Sequence, residues 1–197
     1  TKFTYNEEGD MLTKNSNTEQ WFWYCDKKFT YNGEGKLLTE TITNSNGYRD
    51  VTKFTYTDKG GILTKTITTT WGDGSTDVTK YTYDEKGAIL TKTITLGDGT
   101  IEVKKFTYNE EGKMLTETRT RRDGSGTVTK FTYNEEGDML TETKTWSDGI
   151  IKEFIYNDKG AILTKTITWS DGTTDVTKFT YNEEGKLLTE TKTDSDG

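Results

Sequence analysis

The chain of 197 residues contains no histidine, no proline and a single cysteine, Cys25. Without histidine there is no imidazole for acid–base catalysis, for a Ser-His-Asp triad or for a zinc site. One cysteine excludes an internal disulfide framework and a thiolate metal cluster, and nothing in the sequence gives Cys25 a role. The lack of proline in a turn-rich chain points to near-continuous strand pairing, because proline cannot donate to a β-ladder. Apolar residues are scarce too, at 29% against about 45–50% (glycine included) in ordinary domains. No apolar run approaches the roughly 20 residues of a membrane-spanning helix, so no membrane insertion is expected of this segment. The formal net charge is −7, with acidic and basic residues interspersed. A nucleic-acid surface needs a basic stripe, so no nucleic-acid partner is expected.

What the chain does have is threonine, about a fifth of all residues, and a repeat. The pattern Tyr-(Asn/Asp/Thr)-x-x-Gly-x-(Leu/Ile/Met)-Leu-Thr is anchored at Tyr5, Tyr31, Tyr56, Tyr83, Tyr108, Tyr133, Tyr156 and Tyr181. A fixed period near 25 residues marks a repeat architecture. Residues 1–197 therefore read as a single array of about eight repeats, interrupted by a divergent aromatic segment at 15–27. Disordered chains avoid aromatic and β-branched residues. Here Phe, Tyr, Thr and Ile hold fixed places, which predicts a folded chain with a thin core.

Within the last complete repeat, Val176-Thr177-Lys178-Phe179-Thr180-Tyr181 is a run of strand formers. Asn182-Glu183-Glu184-Gly185 suits a type I turn closed by a left-handed glycine. Lys186 to Thr193 returns as a second strand, and Asp194-Ser195-Asp196-Gly197 opens a second kind of turn. In that register Tyr181 is expected opposite Leu187 and Phe179 opposite Thr189. The TxTxT pattern has period two, and the Leu pairs do not recur at helical spacing, so helix is rejected. The predicted fold is all-β: tandem hairpins of about 25 residues, some sixteen antiparallel strands, in a rolled or superhelical sheet of solenoid or shell type. Apolar residues on both faces near the Asn-x-x-Gly turn predict that the sheet rolls or stacks on itself there.

The motif Asp-Gly, a short strand, Lys-(Phe/Tyr)-Thr-Tyr-(Asn/Asp)-x-x-Gly-x-Leu resembles the YD-repeat (RHS) family over essentially the whole chain. Lys80-Tyr81-Thr82-Tyr83-Asp84-Glu85-Lys86-Gly87 carries both tyrosines and the aspartate of that pattern, and Lys36, Lys113 and Lys186 stand at its arginine position. The resemblance implies a long coiling β-sheet, often a hollow shell, in large secreted or surface-exposed proteins. The family's self-cleaving segment and variable toxin tip have no counterpart in these residues.

Candidate contact residues are few. Trp21, Phe22, Trp23 and Tyr24, beside Cys25, replace a turn and read as an end cap, an interface or a ligand patch. Trp71, Trp146 and Trp169 precede the second turn and could form a glycan-binding row. Other repeats carry Leu96, Arg121 or Asn44 there, as a tolerant, half-exposed position would. Asp73 with Asp77, Asp98 with Glu102, and Asp171 with Asp175 could offer calcium oxygens, but the spacing fails in other repeats and ordinary Asp-Gly turns explain it better. Rows of threonine resemble an ice-binding array. The charged residues in each strand, and the strand expected between successive rows, favour plain β-propensity. No catalytic, cofactor or metal residue is assigned. The expected function is a non-catalytic, secreted or cell-surface structural or adhesive segment that self-associates through its sheet ends into a fibre. The wall of a toxin-encapsulating YD-repeat shell and a module binding glycan or cell-wall polymer are the alternatives.

Overall fold

A computed structural model of the chain describes residues 2–5, 7, 9, 11–17 and 24–195. Among them there are sixteen strands and no helix. They are β1 (Lys2–Tyr5), β2 (Met11–Asn17), β3 (Tyr24–Tyr31), β4 (Leu37–Asn44), β5 (Arg49–Tyr56), β6 (Ile62–Thr70), β7 (Thr76–Tyr83) and β8 (Ile89–Thr95), followed by β9 (Ile101–Tyr108), β10 (Met114–Arg121), β11 (Gly126–Tyr133), β12 (Met139–Trp146), β13 (Ile151–Tyr156), β14 (Ile162–Thr168), β15 (Thr174–Tyr181) and β16 (Leu187–Thr193). The chain divides into two compact units, residues 1–103 and 104–197. In the first, β1 to β8 pair antiparallel in sequence order. In the second, β10 to β16 do the same. The expected all-β tandem hairpins are what the chain forms.

The two turns differ in sequence yet follow one backbone path. At the first, Asn32 N–H donates to the Lys36 carbonyl (2.9 Å) and Gly35 N–H to the Asn32 carbonyl (3.0 Å). At the second, Trp71 N–H donates to Ser75 (2.9 Å) and Gly74 N–H to Trp71 (2.9 Å). Gly35 and Gly74 sit at φ 74° and 85°, the left-handed region that a side chain disfavours. What differs is the polar side chain that braces the loop. Asn32 Oδ1 accepts from the N–H groups of Glu34 and Lys36, whereas Asp73 Oδ1 accepts from the N–H and hydroxyl of Ser75.

Among the described pairings, only the hairpins of the first turn carry a further bulge inside the ladder. Tyr181 faces Leu187 as expected, but Thr180 faces Thr189 and Phe179 faces Glu190. The expected pairing of Phe179 with Thr189 is corrected: Leu188 is skipped and left without a cross-strand partner. Such a bulge shifts every later side chain to the other face. The consequence is a clean division. Phe179, Tyr181, Leu187, Glu190 and Lys192 share an aromatic face, while Val176, Lys178, Thr180, Thr189, Thr191 and Thr193 share a threonine face. Hydroxyl pairs mark the second face in repeat after repeat: Thr30 with Thr39 (2.6 Å), Thr55 with Thr64 (2.7 Å), Thr132 with Thr141 (2.7 Å), Thr180 with Thr189 (2.7 Å).

No apolar side chain among the described residues is buried; only Thr129 and Thr177 are. Within each unit the strands contact only their sequence neighbours, so each unit is one layer. The stacking expected at the Leu edge is absent inside either unit. Lysine amines supply part of the missing cover, lying over aromatic rings as cation–π partners. Lys65 sits over the Phe54 ring (5.8 Å) and Lys92 over Tyr81 (5.6 Å).

Candidate binding surfaces

The bulge also explains the recurring tyrosine. The ladder between β4 and β5 begins at Thr39 opposite Lys53, so the Leu37 carbonyl lies beyond its end. Tyr56 from the following repeat donates its hydroxyl to that carbonyl at 2.7 Å. Tyr31 does the same to Met11 (3.1 Å), Tyr133 to Met114 (2.8 Å) and Tyr181 to Ile162 (2.8 Å). Where lysine precedes the bulge, its amine lies over the same ring of the next repeat, Lys36 on Tyr56 (5.8 Å) and Lys113 on Tyr133 (5.7 Å). Tyr156 instead donates to Glu142 (3.2 Å); desolvation first, then the Glu142 charge, raises its pKa. These contacts fasten the repeats of Tyr31, Tyr56, Tyr133, Tyr156 and Tyr181 to the ones before them.

Of the sequence-predicted contact residues, Trp21, Phe22 and Trp23 lie outside the described residues, and Tyr24 is described only as the first backbone position of β3. Trp71, Trp146 and Trp169 all fall on the aromatic face, at the second-turn edge. Trp71 and Trp169 are 45% and 42% exposed. Their indole N–H groups donate to Asp77 and Asp175, six residues on, each at 3.0 Å. In the Trp146 repeat the sixth residue is Lys152, and the ring carries cations instead: Lys144 at 5.1 Å and Lys152 at 6.0 Å. Trp71 also meets Tyr48 edge-on at 5.5 Å, and Tyr48 donates to Asp50 (2.6 Å), the main reason its pKa is raised. Thr127 lies between Arg119 and Trp146 on adjacent strands, as the floor of an open groove of about 280 Å³.

The carboxylates considered for calcium have other donors. Asp77 and Asp175 take indole N–H groups, and Asp77 also takes Gly97 N–H (2.9 Å). Asp73 and Asp171 accept from the hydroxyls of Ser75 (2.7 Å) and Thr173 (2.6 Å), which chiefly lower their pKa values. Among the described residues no three acidic, Cys or His side chains converge to hold a metal. Glu183 and Glu184 stand exposed on a hairpin tip.

One further surface is set by strand register rather than by residue type. On the threonine face of β4 to β8, Arg49, Lys53 and Lys80 stand among Thr and Val with no carboxylate. The row Thr39–Lys53–Thr66–Lys80–Thr93 crosses five strands. The acidic strand residues, Glu40, Asp50 and Asp77, all point to the other face. The signal was present as residue parity, but the faces cannot be assigned until the Leu bulge is known.

No protein-family model and no curated protein matches the chain. Solved structures do. A crystal structure of TcdB2-TccC3 aligns over 98% of this chain with a TM-score of 0.56 at 16% identity. The likeness is one of fold. It places these hairpins with a YD-repeat-like β architecture, and the chain spans only 10% of the length of that protein. TccC3 is named again in the Photorhabdus luminescens Tc holotoxin pore, at 11% identity over 98% of this chain and 14% of that one, TM-score 0.37. A porin-like protein from Bacteroides uniformis aligns over 93% of this chain and 91% of its own, with 14% identity and the same TM-score of 0.37. At that score neither carries an argument.

Proposed function

We propose that this chain is a non-catalytic structural segment, a stretch of β-sheet wall in a larger secreted or cell-surface protein of YD-repeat type. The observation that supports it best is the coupling of successive repeats within each unit, by strand pairing and, at Tyr31, Tyr56, Tyr133 and Tyr181, by tyrosine–carbonyl contacts, with no buried apolar interior among the described residues that a further repeat would have to match. Stability in such an array is a sum of neighbour terms, so the wall extends by adding copies. The resemblance in fold to TcdB2-TccC3 favours the wall of a shell over a solid fibre. Electron microscopy of the parent protein tests this. A hollow, walled particle supports the reading; a solid fibre or a globular catalytic domain overturns it.

A second reading rests on Trp71 and Trp169. Their rings are exposed and held in place by the indole–carboxylate bonds, as platforms for stacking a sugar would be. Glycan-array binding lost on Trp71→Ala and Trp169→Ala would favour it.

A further inference from the structure

We propose that the basic threonine face of β4 to β8 is a docking surface for the acidic hairpin tips of a second copy of this chain. The chain has a formal charge of −7, yet this face carries Arg49, Lys53 and Lys80 and no carboxylate. Lys53 and Lys80 are exposed, and neither forms an ion pair among the described residues. On this stretch of the threonine face every charge is therefore positive, while the aromatic face mixes Lys65 and Lys92 with Glu40, Asp50 and Asp77.

The complementary surface is the Asn-x-x-Gly edge of the second unit. Two consecutive tips there carry Glu110-Glu111 and Glu135-Glu136, with Asp138 close behind. Glu111, Glu135 and Glu136 are exposed, and Glu111 pairs with Lys113 at 3.4 Å, next to the same tip. Spacing makes the match specific. Lys53 and Lys80 are two strands apart, so about 9.5 Å separates them at the usual strand spacing. Successive tips are also two strands apart and repeat at the same interval. A polyanion of another chemistry would meet the lysines at its own period; a second copy meets them at theirs. Between the lysines, Thr66 presents a small hydroxyl side chain on the same face, which leaves room for a hairpin tip to approach.

The contact joins one surface to a different one, so it is heterologous and adds copies without using itself up. Single exposed ion pairs are weak and screened by salt; several in register act together. Association is therefore expected at low ionic strength and at high protein concentration.

Sedimentation velocity at about 10–500 μM protein in 20 mM and 500 mM NaCl tests this. The association constant should fall at least about tenfold at the higher salt, as screening of exposed pairs requires. A face variant (Arg49→Glu, Lys53→Glu, Lys80→Glu) and a tip variant (Glu111→Lys, Glu135→Lys, Glu136→Lys) should each fail to self-associate. An equimolar mixture of the two should associate again, which also shows that neither variant had simply unfolded. Wild-type protein that stays monomeric throughout, association that the face variant keeps, or a mixture that stays apart would overturn the proposal. So would a monomer that binds polyphosphate through Lys53 and Lys80, since the partner would then be a polyanion.

Discussion

Tyr133→Phe removes one hydroxyl and leaves the ring in place. The lost group donates at 2.8 Å to the Met114 carbonyl of the preceding repeat, and that carbonyl has no ladder partner in the next strand. A neutral hydrogen bond contributes about 0.5–1.5 kcal/mol net, and a fully buried orphaned acceptor costs about 1–3 kcal/mol. Tyr133 is only half-buried, so water can reach Met114 and the lower range applies. In a chain of this length 1 kcal/mol corresponds to about 2–4 °C in Tm. The internal control is Tyr81→Phe. Its position holds Phe in the other repeats, so its loss should stay within about 0.5 kcal/mol. Urea unfolding of both variants, at unchanged m, gives the comparison. Lys113, whose amine lies 5.7 Å from the Tyr133 ring centre, completes a double-mutant cycle with Tyr133→Leu, which removes the ring, with an expected coupling of about 0.5–1 kcal/mol. If Tyr133→Phe matches Tyr81→Phe and the cycle with Lys113→Ala shows no coupling, the tyrosines do not fasten the repeats and the reasoning fails.

Gly137→Ala should cost about 1–2 kcal/mol in thermal unfolding, since φ is 89° and the added Cβ would collide with the Lys113 amine. Gly61→Ala should be neutral or stabilising by up to about 1 kcal/mol, because the added Cβ would meet only Thr57 Oγ1, at an ordinary 3.5 Å, and Ala88 and Ala161 hold the same place in other repeats. Hydrogen bonds hold Asp73, Asp98, Asp123 and Asp171 below the usual aspartate range. A depressed folded pKa stabilises at pH values above the unfolded one, about 3.9, and that contribution disappears as pH falls through the folded values. Second-turn amides followed by hydrogen exchange should therefore keep their protection down to about pH 4 and lose it below; a loss beginning near pH 6 would contradict these contacts. A hydrolase screen should find no activity that depends on Glu183 or Glu184, and turnover lost on changing either would refute the non-catalytic reading.

Much of this fold can be read from local chemistry. Asn182 to Gly185 specified a left-handed-glycine turn and the pairing of Tyr181 with Leu187, and both are present. The facing could not be read, because it depends on whether Leu188 is skipped. That single register step moves Glu190 beneath Phe179 and brings Thr180 beside Thr189, which turns interspersed charge into two unlike faces. The tyrosine's partner was hidden for a related reason: a carbonyl near a bulge, in the previous repeat, carries no residue-type signal. The tryptophans at 71, 146 and 169 were found from their place before the second turn. Their different partners follow from the residue six positions on, Asp77, Lys152 or Asp175. The aromatic group at Trp21 to Trp23 lies outside the described residues.

The central claim is that within each unit the described repeats stand as a hydrated layer without a buried apolar core. The heat capacity change of unfolding tests it most directly, because that quantity scales with apolar surface removed from water. Globular domains give about 12–15 cal/mol/K per residue. Calorimetry on dilute protein at high salt, where copies stay apart, should give a value clearly below that range. A value within it would mean that an apolar layer is buried after all, and would contradict the account.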